Sequence, residues 1–142
     1  MLKRDSLTAQ MQQLSHTLAK VKRLIIEDEE TRALEEVRYT LSHYYSIDQQ
    51  ELLKTSADLF TDRLREQQFQ AEELNLLAAF IDELAGLNDD GATRKNLWTK
   101  VISIYDILEH EYHVLSFEHI ARRDLLSKAL GIGGSHSSDE FS

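Results

Sequence analysis

Two stretches of the chain place apolar residues at alternating spacings of three and four, on either side of a polar turn. Before the turn stand Leu74, Leu77, Ala78, Ile81, Leu84 and Ala85; after it stand Leu97, Trp98, Val101, Ile102, Ile104, Tyr105 and Leu108. Such spacing makes one buried face on a helix of 3.6 residues per turn. Between them, Gly86-Leu87-Asn88-Asp89-Asp90-Gly91 offers a stop for the first helix and a carboxylate to cap the second. The pattern predicts a helical hairpin over 71–87 and 92–113. Its second helix is apolar over an arc too wide for one neighbour, which places it at the centre of the core.

The N-terminal part has the most regular pattern. Leu7, Met11, Leu14, Leu18, Val21 and Ile25 step by four, three, four, three and four, close to a heptad seam. A helix over 5–27 is expected, capped by Asp5 or Ser6, and Asp28-Glu29-Glu30 interrupts it. A second helix over 29–45 carries Ala33, Leu34, Val37, Leu41 and Tyr44 on its inner face and returns antiparallel to the first. Ser46-Ile47-Asp48 breaks it. Asp48 and Ser56 are expected to cap short helices within 48–67, and the polar run from Arg63 to Gln70 reads as the loosest connection. A last helix over 116–130 is signalled by Ser116 as N-cap, with Leu115 and Ile120 placed as a hydrophobic staple. Phe117, Ile120, Ala121, Leu125, Leu126 and Leu130 are expected to cover the core. Gly131 ends that helix, and the Gly/Ser-rich residues 131–142 read as a disordered tail. The fold class is therefore all-α: antiparallel helical hairpins, tetratricopeptide-like or bundle-like, in one domain over 1–130.

Composition sharpens this reading. Proline is absent from all 142 residues, as suits a chain with few breaks between helices. Cysteine is absent too, which excludes disulfides, thiol nucleophiles and thiolate metal sites. The net charge of −9 argues against nucleic acid, whose binding needs a basic stripe to displace counterions. The basic clusters at Lys3-Arg4, at Lys20, Lys22 and Arg23, and at Arg122-Arg123 read as solvated helix faces. No apolar core of a signal peptide follows Met1-Leu2-Lys3-Arg4-Asp5, and no stretch has the length of a membrane span. A cytoplasmic location without membrane contact is the expectation.

The opening Met1-Leu2-Lys3-Arg4-Asp5, the helix with Leu14 and Leu18-Ala19, the run Leu76-Leu77-Ala78 to Gly86, and Trp98-Thr99-Lys100 to Tyr105 together resemble a family of small, uncharacterised bacterial proteins with tetratricopeptide-like helical hairpins. The resemblance spans Met1 to Leu115. It implies a bacterial protein with that fold and brings no activity. The chain departs from it in its final helix and tail, and in bulky Trp98 and Tyr105 where small residues would aid close packing.

The candidate chemistry is sparse. His110 and His113, with Glu109, Glu118 and His119 nearby, form the one cluster with metal-ligating residue types, since positions three or four apart share a helix face. The spacing is wrong for the zinc-protease motif, and no Glu-x-x-His pair of the di-iron kind occurs. Gly131-Ile132-Gly133-Gly134 follows a helix and leads into no element, so it lacks the context of a phosphate loop. Asp89-Asp90 and Glu72-Glu73 sit at helix starts, where carboxylates complement the dipole. No catalytic, cofactor-binding or metal residue and no cofactor is assigned.

The expectation is a non-enzymatic helical protein-interaction module, with a protein partner or a homodimer. A metal-dependent enzyme using the His110/His113 region and a purely structural homodimer are the alternatives. Trp and Tyr are frequent interface anchors, and the N-terminal end of the first helix outruns its shorter partner. Leu2, Leu7, Met11, Tyr44, Tyr45 and Tyr112 are accordingly the candidate interface residues.

Overall fold

The computed structural model describes residues 2–131. Among these the chain forms seven helices and no strand: α1 (Leu2–Ile26), α2 (Glu30–His43), α3 (Gln49–Lys54), α4 (Ala57–Gln67), α5 (Ala71–Gly86), α6 (Gly91–His110) and α7 (Phe117–Leu130). The Leu2 side chain and the expected tail beyond Gly131 lie outside the described residues.

The chain is all-α, as its periodicity predicts, and it packs as two hairpins joined through α5. That helix buries Leu74, Leu77, Ala78, Phe80, Ile81, Leu84 and Ala85. It packs on α6 along one side and on α1 and α2 along the other. Helix α6 buries Leu97, Val101, Ile104, Tyr105, Ile107 and Leu108, and also the lysine at position 100. It meets α5, α7, α4 and α3, so the wide apolar arc has the several neighbours it requires.

The turns follow from local chemistry. Asp90 caps α6, its Oδ2 accepting from the Thr93 amide at 2.9 Å and from the Thr93 hydroxyl at 2.6 Å. Arg94 reaches back across the turn, donating to the Asn88 carbonyl from Nε at 3.2 Å and from Nη2 at 3.0 Å, and so satisfies a carbonyl just beyond α5. Asp48 caps α3 through the Glu51 amide, Ser56 caps α4 through the Leu59 amide, and Ser116 caps α7 through the His119 amide. Asp28, Ser46, Gln68 and His113 take left-handed backbone conformations at the bends between helices. Gly131, at φ 75°, closes α7 in the conformation that glycine adopts without strain.

Four expectations need correction. Helix α1 starts at Leu2, ahead of Asp5 and Ser6, so neither residue is its cap. The stretch from Arg63 is helical as far as Gln67, leaving only 68–70 as a link. Helix α7 covers the core with Leu126 and a half-buried Leu130, while Phe117, Ile120, Ala121 and Leu125 are exposed. Leu115 is exposed as well, so the Leu115–Ile120 pair is not a buried staple. The reason is that α7 is fixed by polar contacts, described below, which turn a different side of the helix inward.

Candidate functional site

Of the candidate interface residues, Met11 and Tyr45 are buried and Leu7, Tyr44 and Tyr112 are half-buried. Met11, on α1, is 7% exposed and Leu7 is half-buried. The start of α5 lies beside this end of α1, and Gln70 and Glu72 share a shallow cleft with Leu7 and Met11. At Leu7 and Met11, the end of α1 that outruns α2 is thus flanked by an element from much later in the chain.

Tyr44 and Tyr45 converge on one residue. The Tyr44 hydroxyl donates to Glu73 Oε2 at 2.6 Å, and the Tyr45 hydroxyl donates to the Glu73 carbonyl at 2.7 Å. Glu73 Oε1 accepts from the Gln70 amide at 2.7 Å, closing the first turn of α5. Burial, with the nearby Glu73 carboxylate, pushes both tyrosines well above their ordinary pKa. Tyr45 is 2% exposed and belongs to the core. The Tyr112 hydroxyl donates to the Phe69 carbonyl at 2.6 Å and ties the end of α6 to the link before α5. Their polar tips hold the end of α2 and the end of α6 against the start of α5.

The histidine cluster does not assemble. His110 is exposed, its Nε2 3.9 Å from Glu109 Oε1, and Glu109 is engaged by Arg123 at 2.7 Å. That hydrogen bond holds the Glu109 carboxyl below its ordinary range. His113 is exposed at the bend after α6. His119 turns the other way, 8% exposed, stacked on Tyr105 at 4.8 Å, with Nε2 donating to Asn75 Oδ1 at 2.6 Å. Burial lowers its pKa, and its Nδ1 is buried without a partner. Among the described residues no group of three or more His, Asp or Glu side chains is placed to hold a metal ion.

Helix α7 is clamped by ion pairs. Arg122 binds Asp82 through Nε and Nη2, both at 2.7 Å, and Arg123 bridges Asp106 at 2.8 Å and Glu109 at 2.7 Å. With Leu126 and His119, these contacts fix the inward side of α7. The outward side mixes apolar and charged residues: Phe117 is 89% exposed, joined by Ile120 and Leu125 and by Val114 and Leu115 from the preceding bend, and the exposed Asp124–Lys128 pair at 3.2 Å lies among them. Single exposed apolar residues are ordinary on a protein surface, whereas a contiguous group of them marks a contact.

The better-enclosed cavity lies elsewhere, between α3, α4 and the turns that precede α3 and α5. It measures about 310 Å³ and is lined by Tyr45, Phe60 and Phe69, by Ile47, Leu52 and Leu64, and at its rim by Asp48, Glu51, Arg63 and Glu66. The sequence places Asp48 as a helix cap and puts Arg63, Glu66 and Phe69 in a loose polar connection, with nothing to mark a cavity there except Phe69, a lone aromatic. Asp48 does cap α3, and the Glu51 side chain faces Arg63, at 3.6 Å.

These features define an all-α domain of packed helical hairpins, with an exposed apolar helix face and a small aromatic-lined cavity. Comparison with known protein families, with curated proteins and with solved structures gives no significant match. No helix among the described residues is long and apolar enough to cross a membrane.

Proposed function

We propose that this protein is a non-enzymatic, cytoplasmic interaction module that takes an apolar helix or peptide of a partner protein on the outer face of α7. The observation that carries the reading is the exposure of Phe117 together with Val114, Leu115, Ile120 and Leu125 on a helix held from behind by Arg122 and Arg123. A rigid helix that presents an aromatic and several aliphatic side chains is a ready template for helix-on-helix docking. The net charge of −9 favours a partner with basic flanks, which raises the association rate and suppresses acidic competitors.

The test compares the wild type with a Phe117→Asp plus Ile120→Asp variant in affinity capture from the native cytosol. Both positions are exposed, so the variant is expected to melt with the wild type. A partner retained by the wild type and lost by the variant supports the reading. A partner retained equally by both overturns α7 as the contact surface.

A further inference from the structure

We infer that the cavity between α3, α4 and the two adjoining turns binds an organic cation with a short apolar stem, an alkylguanidinium or alkylammonium group. Half-buried Phe69 lines its interior, with the nearly covered rings of Tyr45 and Phe60 behind it, an apolar surface that accepts an alkyl stem. Three carboxylates, Asp48, Glu51 and Glu66, stand at the mouth against the single guanidinium of Arg63. The mouth is therefore net acidic. An anion would meet repulsion there, and a neutral ligand would gain hydrogen bonds from the rim but no net charge attraction.

The rim also holds a cation of the proposed kind. Arg63 Nη1 lies 3.6 Å from Glu51 Oε1, with both side chains more than half exposed. A contact that long and that wet is weak, so an incoming cation can take its place. Glu66 makes no side-chain hydrogen bond or ion pair among the described residues. The walls are fixed in advance: Tyr45 is tied to the Glu73 carbonyl, Asp48 and Ser56 cap the helices on either side, and Tyr45 and Phe69 meet edge to face at 5.3 Å. A preformed wall lowers the ordering cost of binding. The volume of about 310 Å³ is at the small end for ligand sites and fits a side chain or small amine better than a nucleotide. The cation has two sources with the same chemistry: an arginine or lysine side chain of a peptide, or a free small amine. This site is separate from the α7 face, and the inference does not rest on it.

The experiment is a titration of ¹⁵N-labelled full-length protein followed by amide shifts. The probes are n-butylguanidinium, its neutral near-isostere n-butylurea, and an uncharged-ended pentapeptide with one central arginine among glycines. The expected result is saturable shifts for the cation at residues 46–48 and 66–69, with n-butylurea about fivefold or more weaker. Glu66→Gln and Asp48→Asn should each weaken the cation about two- to fivefold, the range of an exposed charge contact, and leave n-butylurea unchanged. Asparagine caps helices as aspartate does, so Asp48→Asn keeps α3. A peptide that binds more tightly than n-butylguanidinium identifies a protein side chain as the source, and a weaker one identifies a free amine. Equal binding of n-butylurea, shifts that map elsewhere, no binding of either cationic probe, or folded variants that bind the cation as well as the wild type would each overturn the inference.

Discussion

Lys100 is the residue most at odds with its surroundings. It is 0% exposed on the inner side of α6, and its one hydrogen bond goes to Asn96 Oδ1 on the same helix. Burial alone lowers its pKa, from 10.5 to about 8. The folded pKa lies below the unfolded one, so between about pH 8 and 10 the unfolded chain keeps a proton that the fold sheds. Stability from this group therefore rises with pH across that window. Above it the buried tyrosines act in reverse, because burial raises Tyr105 to about 12 and an unfolded tyrosine ionises first. Lys100→Met keeps the volume and removes the charge, and is expected to stabilise the protein at pH 7 by about 1–3 kcal/mol. Urea unfolding at pH 7 and at pH 9.5 checks this: the advantage of the variant should shrink at the higher pH. The position was legible as part of the buried stripe, three residues after Leu97 and four before Ile104. Its identity as lysine hid it, because lysine on a helix is normally a surface residue.

At the scale of elements, α7 stands apart from the rest. Helices α5 and α6 are held by many aliphatic contacts, whereas α7 buries Leu126 and His119 and relies on the Arg122–Asp82 and Arg123–Asp106/Glu109 pairs. Arg122 is partly buried and bidentate, a geometry stronger than an ordinary surface pair. Arg122→Ala leaves Asp82, a largely buried carboxylate, without its partner. It is expected to cost about 1–3 kcal/mol and to speed amide exchange in 117–130 far more than in α5. Exchange measured by mass spectrometry decides this; uniform acceleration across α5 and α7 would mean that α7 opens only with the whole domain. The sequence marked Arg122-Arg123 as a solvated face. Their carboxylate partners lie 40, 17 and 14 positions away, beyond the reach of any local pattern.

For the whole molecule, α5 carries the core. Leu77 on α5 and Ile104 on α6 are both fully buried, and Leu77→Ala or Ile104→Ala is expected to cost about 2–5 kcal/mol, the range for emptying an aliphatic site. A neutral thermal melt for either would displace the core from this hairpin. The N-terminal end of α1 gives a second test. The sequence suggests an exposed apolar end there, in which case Leu7→Glu plus Met11→Glu would alter association alone. With Met11 buried and Leu7 half-buried, the double substitution is instead expected to lower the denaturation midpoint, by the cost of forcing charge into an apolar contact. Light scattering alongside the melt separates loss of fold from loss of association.

Periodicity was enough to set the helices, the inner faces of α1, α2, α5 and α6, and most of the caps, but not the inner face of α7. Apolar spacing of three and four admits one solution in water, and Asp48, Ser56, Asp90 and Ser116 satisfy amides within three residues of themselves. It could not set which helix covers which. The ordinary apolar run of α5 gives no sign that it reaches α1, α2 and α6 at once. Nor does any local signal say that Tyr44 and Tyr45 would meet Glu73, or that His119 would leave the other histidines for Asn75. Those pairings join residues 28 to 44 positions apart. They depend on how packed helices are rotated about their axes, which the tertiary structure alone decides.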